Sequence, residues 1–251
     1  MKKQTSILLL ALAAAFSACK KDAATAQSGS ETGNLATTSL ANARNTPGVI
    51  VIIGASTAAG SGATPIDSSW VNRLRSETAG NPVPLKYINL AKGGYTSYEG
   101  MPTGFVKSGR PAPDTARNIT KALSYHPSLV MITFPSNDIA KGYASDEVVN
   151  NYAAIVRKLD SAKVPYILFG TQPRDFTDAT RRVALKDLND RLASIYGNKA
   201  NDYFGRLDTT DYKIKGSLAA GDGVHLNNKG HYVVLLSVKN HPVFRATLQG
   251  K

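Results

Sequence analysis

From residue 48 onward, short apolar runs alternate with stretches whose apolar residues recur at the spacing of a helix. The first run is entirely β-branched and stops at Gly54, which is typical of a buried strand. Residues 145–163 instead carry an apolar face of period 3.6 and open with acidic side chains, which predicts an amphipathic helix. The predicted strands are Val49–Ile53, Leu85–Leu90, Leu129–Phe134, Tyr166–Phe169 and Tyr203–Leu207, and the predicted helices lie within 68–78, 114–126, 145–163, 177–199 and after Asn228.

This alternation predicts the architecture. Strands that alternate with helices form a mostly parallel sheet through right-handed crossovers, with helices on both faces. The strands are almost continuously apolar, which favours a sheet buried on both sides. We therefore expect a three-layer α/β/α domain around a five-stranded sheet, with its functional site where the loops leave the carboxyl ends of the strands.

The first 19 residues have the pattern of an export signal. Two lysines precede an apolar run, Ile7–Phe16, that is too short for a permanent membrane helix. The only cysteine, Cys19, follows in "FSAC", which resembles the lipobox of bacterial lipoproteins apart from Phe16 in place of the common Leu. The resemblance implies a signal peptide over 1–19, a lipid-acylated Cys19, and a protein anchored to the membrane of the bacterial cell envelope. The alternative is a soluble secreted protein.

Residues 20–47 are small and polar without periodicity, which predicts a flexible tether before a folded domain at 48–251. The net charge of the whole chain is +12. Such a balance is compatible with anionic partners. The lysines and arginines are scattered and are not interleaved with aromatic residues, so we interpret them as a solvated surface and expect no nucleic-acid partner.

The glycine-rich stretch "GASTAAGSG", residues 54–62, suggests three known loops. A dinucleotide-binding turn needs G-x-G-x-x-G and a phosphate-binding loop needs G-x-x-x-x-G-K-[ST], and neither spacing is present. The nucleophile elbow G-x-S-x-G is also absent, because Ala58 stands where the second glycine belongs. This leaves Ser56 as a hydroxyl at the end of a buried strand.

Polar residues follow the other strands as well. Gly94 follows the second strand, Asn137 the third, and Asp222 precedes His225 by three residues near the end. Each has a simple structural interpretation, such as a turn, a helix cap or an exposed loop. Together they supply what acyl transfer requires: a hydroxyl nucleophile, an imidazole base, a carboxylate to orient it, and donors for an oxyanion.

The four sequence blocks that contain Ser56, Gly94, Asn137, and Asp222 with His225 resemble, in the same order, those of the SGNH (GDSL-like) hydrolase superfamily. The resemblance spans roughly Val49 to Val238 and implies the flavodoxin-like fold of these enzymes. Two positions depart from the family pattern: Ala55 replaces the Asp of "GDS", and Pro135 replaces the Gly of G-x-N-D. The resemblance assigns the carboxylate of the triad to Asp222. The presence of Ala55 therefore alters local hydrogen bonding and does not remove a catalytic acid.

The resemblance implies a catalytic triad of Ser56, Asp222 and His225. The oxyanion hole is then formed by the backbone N–H groups of Ser56 and Gly94 and by the side chain of Asn137. This chemistry needs neither a cofactor nor a metal. The histidines that compete with His225 as base are His126, His231 and His241.

The substrate is less defined. The aromatic residues Tyr95 and Tyr98 lie in a long loop and Arg174 follows the fourth strand, so all three are candidates for substrate binding, or else ordinary packing and surface residues. We expect a small-molecule or glycan ester, preferably a short-chain or carbohydrate acetyl ester. The alternative function is an envelope lipoprotein that binds glycan or lipid without turnover.

Overall fold

The computed structural model describes residues 48–250, which form a parallel five-stranded sheet between two layers of helices. The strand order is β2-β1-β3-β4-β5. The strands are β1 (Gly48–Gly54), β2 (Leu85–Asn89), β3 (Leu129–Thr133), β4 (Tyr166–Phe169) and β5 (Ala200–Asn201). The helices are α1 (Ser56–Ala59), α2 (Trp70–Glu77), α3 (Ile119–Leu123), α4 (Asn137–Ala140), α5 (Ser145–Ser161), α6 (Ala179–Tyr196), α7 (Phe204–Leu207), α8 (Asn228–Lys239) and α9 (Pro242–Leu248). The predicted three-layer fold is confirmed.

Two apolar cores lie on opposite faces of the sheet, because successive side chains of a strand point to opposite sides. From β1, Val51 and Ile53 enter the core formed with α3, α5 and α6. Ile50 and Ile52 enter the core formed with α2, α8 and α9. All four side chains are fully buried. The central strands are thus held from both sides, and their carboxyl ends form one rigid edge.

The fifth strand differs from the prediction. The run Tyr203–Leu207 is not a strand: it contains the short helix α7, and the strand is the two-residue segment Ala200–Asn201, which pairs with β4. The buried residues of the run are Tyr203, Phe204 and Leu207. This is a helical spacing, and a run of five residues is too short for periodicity to separate it from a strand.

A second difference concerns residues 114–126, where only Ile119–Leu123 are helical. The side chain of Asn118 caps this helix by accepting a hydrogen bond from Lys121 N at 2.9 Å.

The predicted signal peptide, Cys19 and the tether over 20–47 lie outside the described residues. Among the helices of residues 48–250, none is long and apolar enough to cross a membrane.

Candidate active site

The chain leaves β1 through Gly54 and enters α1 at Ser56. A Cβ atom on Gly54 would lie 2.1 Å from the backbone oxygen of Thr133, so only glycine fits at this turn. Ala55 donates its N–H to that oxygen at 2.9 Å, and its methyl group is buried in the apolar core. Strand β1 therefore acts as a rigid support for Ser56, which is 9% exposed.

Several backbone N–H groups near this serine have no acceptor within residues 48–250, among them those of Ser56 and Gly94. The Ser56 group is one of the unpaired donors at the start of a helix. The neighbouring glycine loop packs on the serine, since a Cβ atom on Gly93 would lie 3.9 Å from Ser56 Cβ. Gly94 itself has a φ of +83°, a conformation that favours glycine. Both donors are therefore available to a ligand oxygen.

Asn137 begins α4 and joins this glycine loop. Its Nδ2 donates to the backbone oxygen of Tyr95 at 2.8 Å, and its Oδ1 accepts from Arg174 Nη1 at 3.3 Å. A carbonyl can only accept and a guanidinium can only donate, so the two contacts fix which way the amide points. Nδ2 retains a second hydrogen for another acceptor.

Asp222 and His225 lie on one exposed turn and contact each other. His225 Nδ1 is 2.6 Å from Asp222 Oδ2. The other oxygen, Oδ1, accepts hydrogen bonds from the backbone N–H groups of Val224 at 2.9 Å and His225 at 2.8 Å. One carboxylate thus shapes the turn and orients the ring, and His225 Nε2 makes no hydrogen bond within the part of the chain that is described.

The charge state of Asp222 follows from these contacts. Its partial burial opposes ionisation, but the hydrogen bonds from His225 and Val224 prevail and lower the pKa of the carboxyl to about 2. Asp222 is therefore charged at neutral pH. A carboxylate on Nδ1 keeps the proton on that nitrogen and leaves the lone pair of Nε2 free to accept a proton.

The helix α1, which begins at Ser56, and the turn that carries His225 adjoin each other through residues 61 and 62. Ser61 donates its N–H to the backbone oxygen of Ser56 at 2.9 Å, and the next residue, Gly62, packs on the histidine: a Cβ atom there would lie 3.0 Å from His225 Cβ. Within residues 48–250, Ser56 Oγ forms no hydrogen bond with His225. In free enzymes such bonds are often long and shorten when substrate binds.

The other three histidines have different surroundings. His231 is buried in α8, where Nδ1 accepts from Trp70 N at 3.4 Å and Nε2 lies 3.0 Å from Ser61 O. His241 lies 3.2 Å from Ala200 O. Burial lowers the pKa of both. His126 is exposed on a turn with a φ of +49°. Among the histidines of residues 48–250, only His225 contacts a carboxylate.

The three candidates for substrate binding differ in their exposure and in their contacts. Tyr98 is fully buried, its ring packs against Phe105 and Tyr143, and its hydroxyl donates to Glu147. The prediction that Tyr98 binds substrate is therefore wrong, because no part of its side chain reaches the surface. Tyr95 is partly exposed, with its hydroxyl on Asp114. The aromatic residues of the long loop thus serve mainly to pin that loop to the domain.

Arg174 reaches the site through its contact with Asn137, and its guanidinium lies 5.1 Å from the centre of the Phe176 ring. Partial burial lowers its pKa, and the charge of Asp222 acts in the opposite direction. Arg174 thus places a positive charge between the asparagine of one loop and the carboxylate of another.

One further residue of the loop after β4, which also carries Arg174, was not predicted to belong to the site. Gln172 is 1% exposed, and its side chain bonds to the chain on both sides of the site, at Thr57 and at Val224. A lone glutamine after a strand has no characteristic spacing. The contacts span 115 and 52 positions of sequence, so the signal exists only in the folded chain.

The fold is that of the SGNH hydrolases. Residues 52–233 match the sequence profile of the GDSL-like lipase/acylhydrolase family. The chain therefore belongs to this family and is a hydrolase of ester bonds. No curated protein matches its sequence.

Solved structures with low sequence identity share the fold. The psychrotrophic esterase EstA from Pseudoalteromonas sp., solved with monoethylphosphonate, is 18% identical over 80% of this chain and 98% of its own, with a TM-score of 0.59. A GDSL-like lipase from Bacteroides thetaiotaomicron is 19% identical over 86% and 98%, with a TM-score of 0.57. A two-domain esterase active on acetylated mannans is 18% identical over 86% of this chain and 53% of its own, with a TM-score of 0.57.

Proposed function

We propose that the protein is a serine esterase in which Ser56 is the nucleophile. His225 Nε2 takes the proton of Ser56 Oγ as that oxygen attacks the ester carbonyl. Asp222 holds the imidazole and stabilises the imidazolium that forms. His225 then gives the proton to the departing alcohol, which leaves an acyl-serine. A water molecule, activated by the same imidazole, hydrolyses the acyl-serine and regenerates the enzyme.

The negative charge that develops on the carbonyl oxygen needs fixed donors. The N–H groups of Ser56 and Gly94 and the second hydrogen of Asn137 Nδ2 are the groups we assign to this task. Such a donor is worth roughly 3 to 4 kcal/mol in the transition state of acyl transfer. The bond from Asn137 to Tyr95 O supports the assignment, because it holds the amide in place before substrate arrives.

The contact between Asp222 and His225 carries the proposal. At 2.6 Å it is a charge-assisted hydrogen bond. It puts the proton on Nδ1, so Nε2 is the nitrogen that accepts from a nucleophile. A protein that only binds glycans or lipids would gain nothing from an oriented imidazole beside a serine and unpaired N–H groups.

For the substrate, we propose a short-chain or carbohydrate acetyl ester. The site lies at the carboxyl edge of the sheet, and Tyr98, one of the two tyrosines considered for contact with substrate, is buried. A structural neighbour is described as active on acetylated mannans, which supports the same class. Arg174 adds a positive charge that favours substrates with an anionic group.

The test compares the protein with Ser56→Ala on p-nitrophenyl esters from acetyl to octanoyl and on an acetylated glycan. We expect hydrolysis that is fastest with acetyl and absent from the variant. Hydrolysis that persists in Ser56→Ala would refute the assignment of the nucleophile. Glycan or lipid binding by both proteins, with turnover by neither on any of these substrates, would support a binding lipoprotein instead.

We also propose that the protein is lipid-anchored in the bacterial cell envelope through Cys19. The observation behind this is the arrangement of lysines, apolar run and cysteine in residues 1–19. Detergent phase partition tests it: the full chain expressed in bacteria should enter the detergent phase, and Cys19→Ala should stay in the aqueous phase. Equal partition of the two would exclude the anchor.

A further inference from the structure

Gln172 is a buried amide that joins three loops of the site. Its Oε1 accepts from Thr57 Oγ1 at 2.9 Å, and its Nε2 donates to the backbone oxygen of Val224 at 2.8 Å. Its backbone N–H donates to Pro135 O at 3.0 Å. These partners lie within two residues of Ser56, Asn137 and His225, which are three of the groups on which the proposed mechanism depends. Within residues 48–250, Gln172 itself forms no hydrogen bond with any of those three.

The orientation of the Gln172 amide is determined by its partners. The Val224 carbonyl can only accept a hydrogen bond, so Nε2 must face it. Oε1 then faces Thr57, and the threonine hydroxyl must be the donor. Reversal of the amide would set Oε1 against the Val224 oxygen and leave two buried acceptors in contact. The chain of hydrogen bonds from Thr57 to Val224 therefore has a single arrangement.

The turn that carries His225 needs support from outside. The side chains of Asp222 and His225 are 50% and 27% exposed, so few apolar contacts hold them in place. Asp222 organises the turn internally but does not attach it to the sheet. Gly62 and the buried Leu226 hold the end of the turn next to His225. The β4–α6 loop holds its start, where Gln172 bonds to Val224 O and Asp175 N bonds to Gly223 O at 2.8 Å.

We propose that Gln172 is a positioning residue that sets the distance between Ser56 and His225. This inference rests on the proposed function. Thr57 follows Ser56 directly and Val224 precedes His225 directly, so a single side chain links the two residues next to the reacting groups. Nucleophile and base are not hydrogen-bonded to each other in the free protein, which makes their separation depend on such supports. A misplacement of 1 Å between reacting groups costs on the order of 100-fold in rate.

The structure supplies matched variants. Gln172→Leu and Thr57→Val each remove the link with little change in shape, whereas Thr57→Ser keeps the hydroxyl. Thr171→Val is the control: the neighbouring Thr171 is equally buried, and its Oγ1 donates at 2.6 Å to Leu185 O in α6, away from the site. The backbone bond between Asp175 and Gly223 remains in every variant, so the turn stays attached.

The first readout is steady-state kinetics on p-nitrophenyl acetate. We expect kcat to fall on the order of 10- to 100-fold in Gln172→Leu and Thr57→Val with KM almost unchanged. Thr57→Ser should restore most of kcat, and Thr171→Val should lower the melting temperature without lowering kcat at 25 °C. Since both substitutions break the same link, the double variant should be no slower than Gln172→Leu alone.

The second readout does not depend on turnover. In protein with isotope-labelled histidine, the ring signals of His225 in nuclear magnetic resonance spectra should move in Thr57→Val and stay in place in Thr171→Val. Unchanged His225 signals in both Thr57→Val and Gln172→Leu would overturn the proposal, as would an equal loss of kcat in Thr171→Val. If the unmodified protein hydrolyses no ester, the proposed function fails, and the His225 signals still decide whether Gln172 couples the two loops.

Discussion

Asn137 Nδ2 donates to the backbone oxygen of Tyr95 at 2.8 Å, and this bond ties the loop after β3 to the glycine loop after β2. The two loops carry two of the three proposed oxyanion donors. Because one hydrogen of the amide is used here, the direction of the other is set before a substrate binds. The proposed oxyanion hole is in this sense preorganised, which is the property that makes such donors effective.

Removal of this amide should reduce catalysis strongly. We expect Asn137→Ala to lower kcat on the order of 100-fold or more, because one oxyanion donor is lost and the Tyr95 loop is released. The melting temperature should change little. Asn72→Ala, the same substitution at a partly exposed asparagine of α2, is the control and should leave kcat unchanged. Near-normal kcat in Asn137→Ala would remove Asn137 from the oxyanion hole.

Gly94 and Gly104 allow the backbone at the site to be tested separately from general stability. Both have positive φ, +83° and +87°, and both have open space where a Cβ atom would stand. Alanine at either position should cost about 1 kcal/mol of unfolding free energy through backbone strain. Only Gly94→Ala should also lower kcat. Alanine keeps the backbone N–H group, but the strain displaces it, and only the N–H group of Gly94 is assigned a donor role. Equal kcat in the two variants would argue against that role.

Arg174 should select for anionic esters. We expect Arg174→Gln to raise KM about tenfold or more for an acetyl ester that carries a carboxylate, the size of a lost charged hydrogen bond. KM for the neutral ester should change much less. Arg181 lies over the same Phe176 ring, at 5.7 Å, and Arg181→Gln controls for the loss of a cation there. An equal change of KM for both esters would show that Arg174 serves only to hold Asn137.

Asp138, the residue after Asn137, should make stability depend on pH. It is 2% exposed and accepts hydrogen bonds from Ser97 N and Oγ. Burial raises the pKa of its carboxyl from 3.8 to about 6, although the Ser97 bonds act in the opposite direction. Between these two pKa values the folded protein holds a proton that the unfolded chain releases. Stability from this group is therefore full below the lower value and is lost as pH rises through the upper one.

The size of this effect follows from the shift. From pH 3 to pH 7 the free energy of unfolding should fall by about 3 kcal/mol more in the wild type than in Asp138→Asn, which has no proton to lose. Urea unfolding at the two pH values measures the difference. A gap between the two proteins that stays constant with pH would contradict the assignment of this titration to Asp138.

Much of the fold was predictable because its strands are buried on both faces. The continuous apolar runs of β1, β3 and β4 leave few alternatives to a parallel sheet with helices on either side. The edge strand was not predictable: Ala200–Asn201 is two residues long and has no apolar pattern, whereas the more apolar run beside it forms the helix α7. At the edge of the sheet, tertiary contacts decide the local structure.

The site, like the fold, was predictable from the sequence only in part. The D-x-x-H spacing predicted a carboxylate on the imidazole, and the structure has that contact, because the two residues are only three positions apart on one turn. The role of Tyr98 was not predictable, since an aromatic residue in a long loop can face either the solvent or the core. Gln172 was out of reach for another reason: its partners are distant in sequence, and no local rule relates a glutamine to a threonine 115 positions away.

The most direct test of the account identifies the nucleophile chemically. The protein and Ser56→Ala are incubated with a p-nitrophenyl alkylphosphonate, which phosphonylates serine nucleophiles, and the modified peptide is mapped by mass spectrometry. We predict one phosphonyl group per protein molecule, located on Ser56, with release of p-nitrophenol and loss of esterase activity in parallel, and no modification of the variant. A phosphonyl group on another residue, or an active enzyme whose Ser56 remains unmodified, would contradict the central claim.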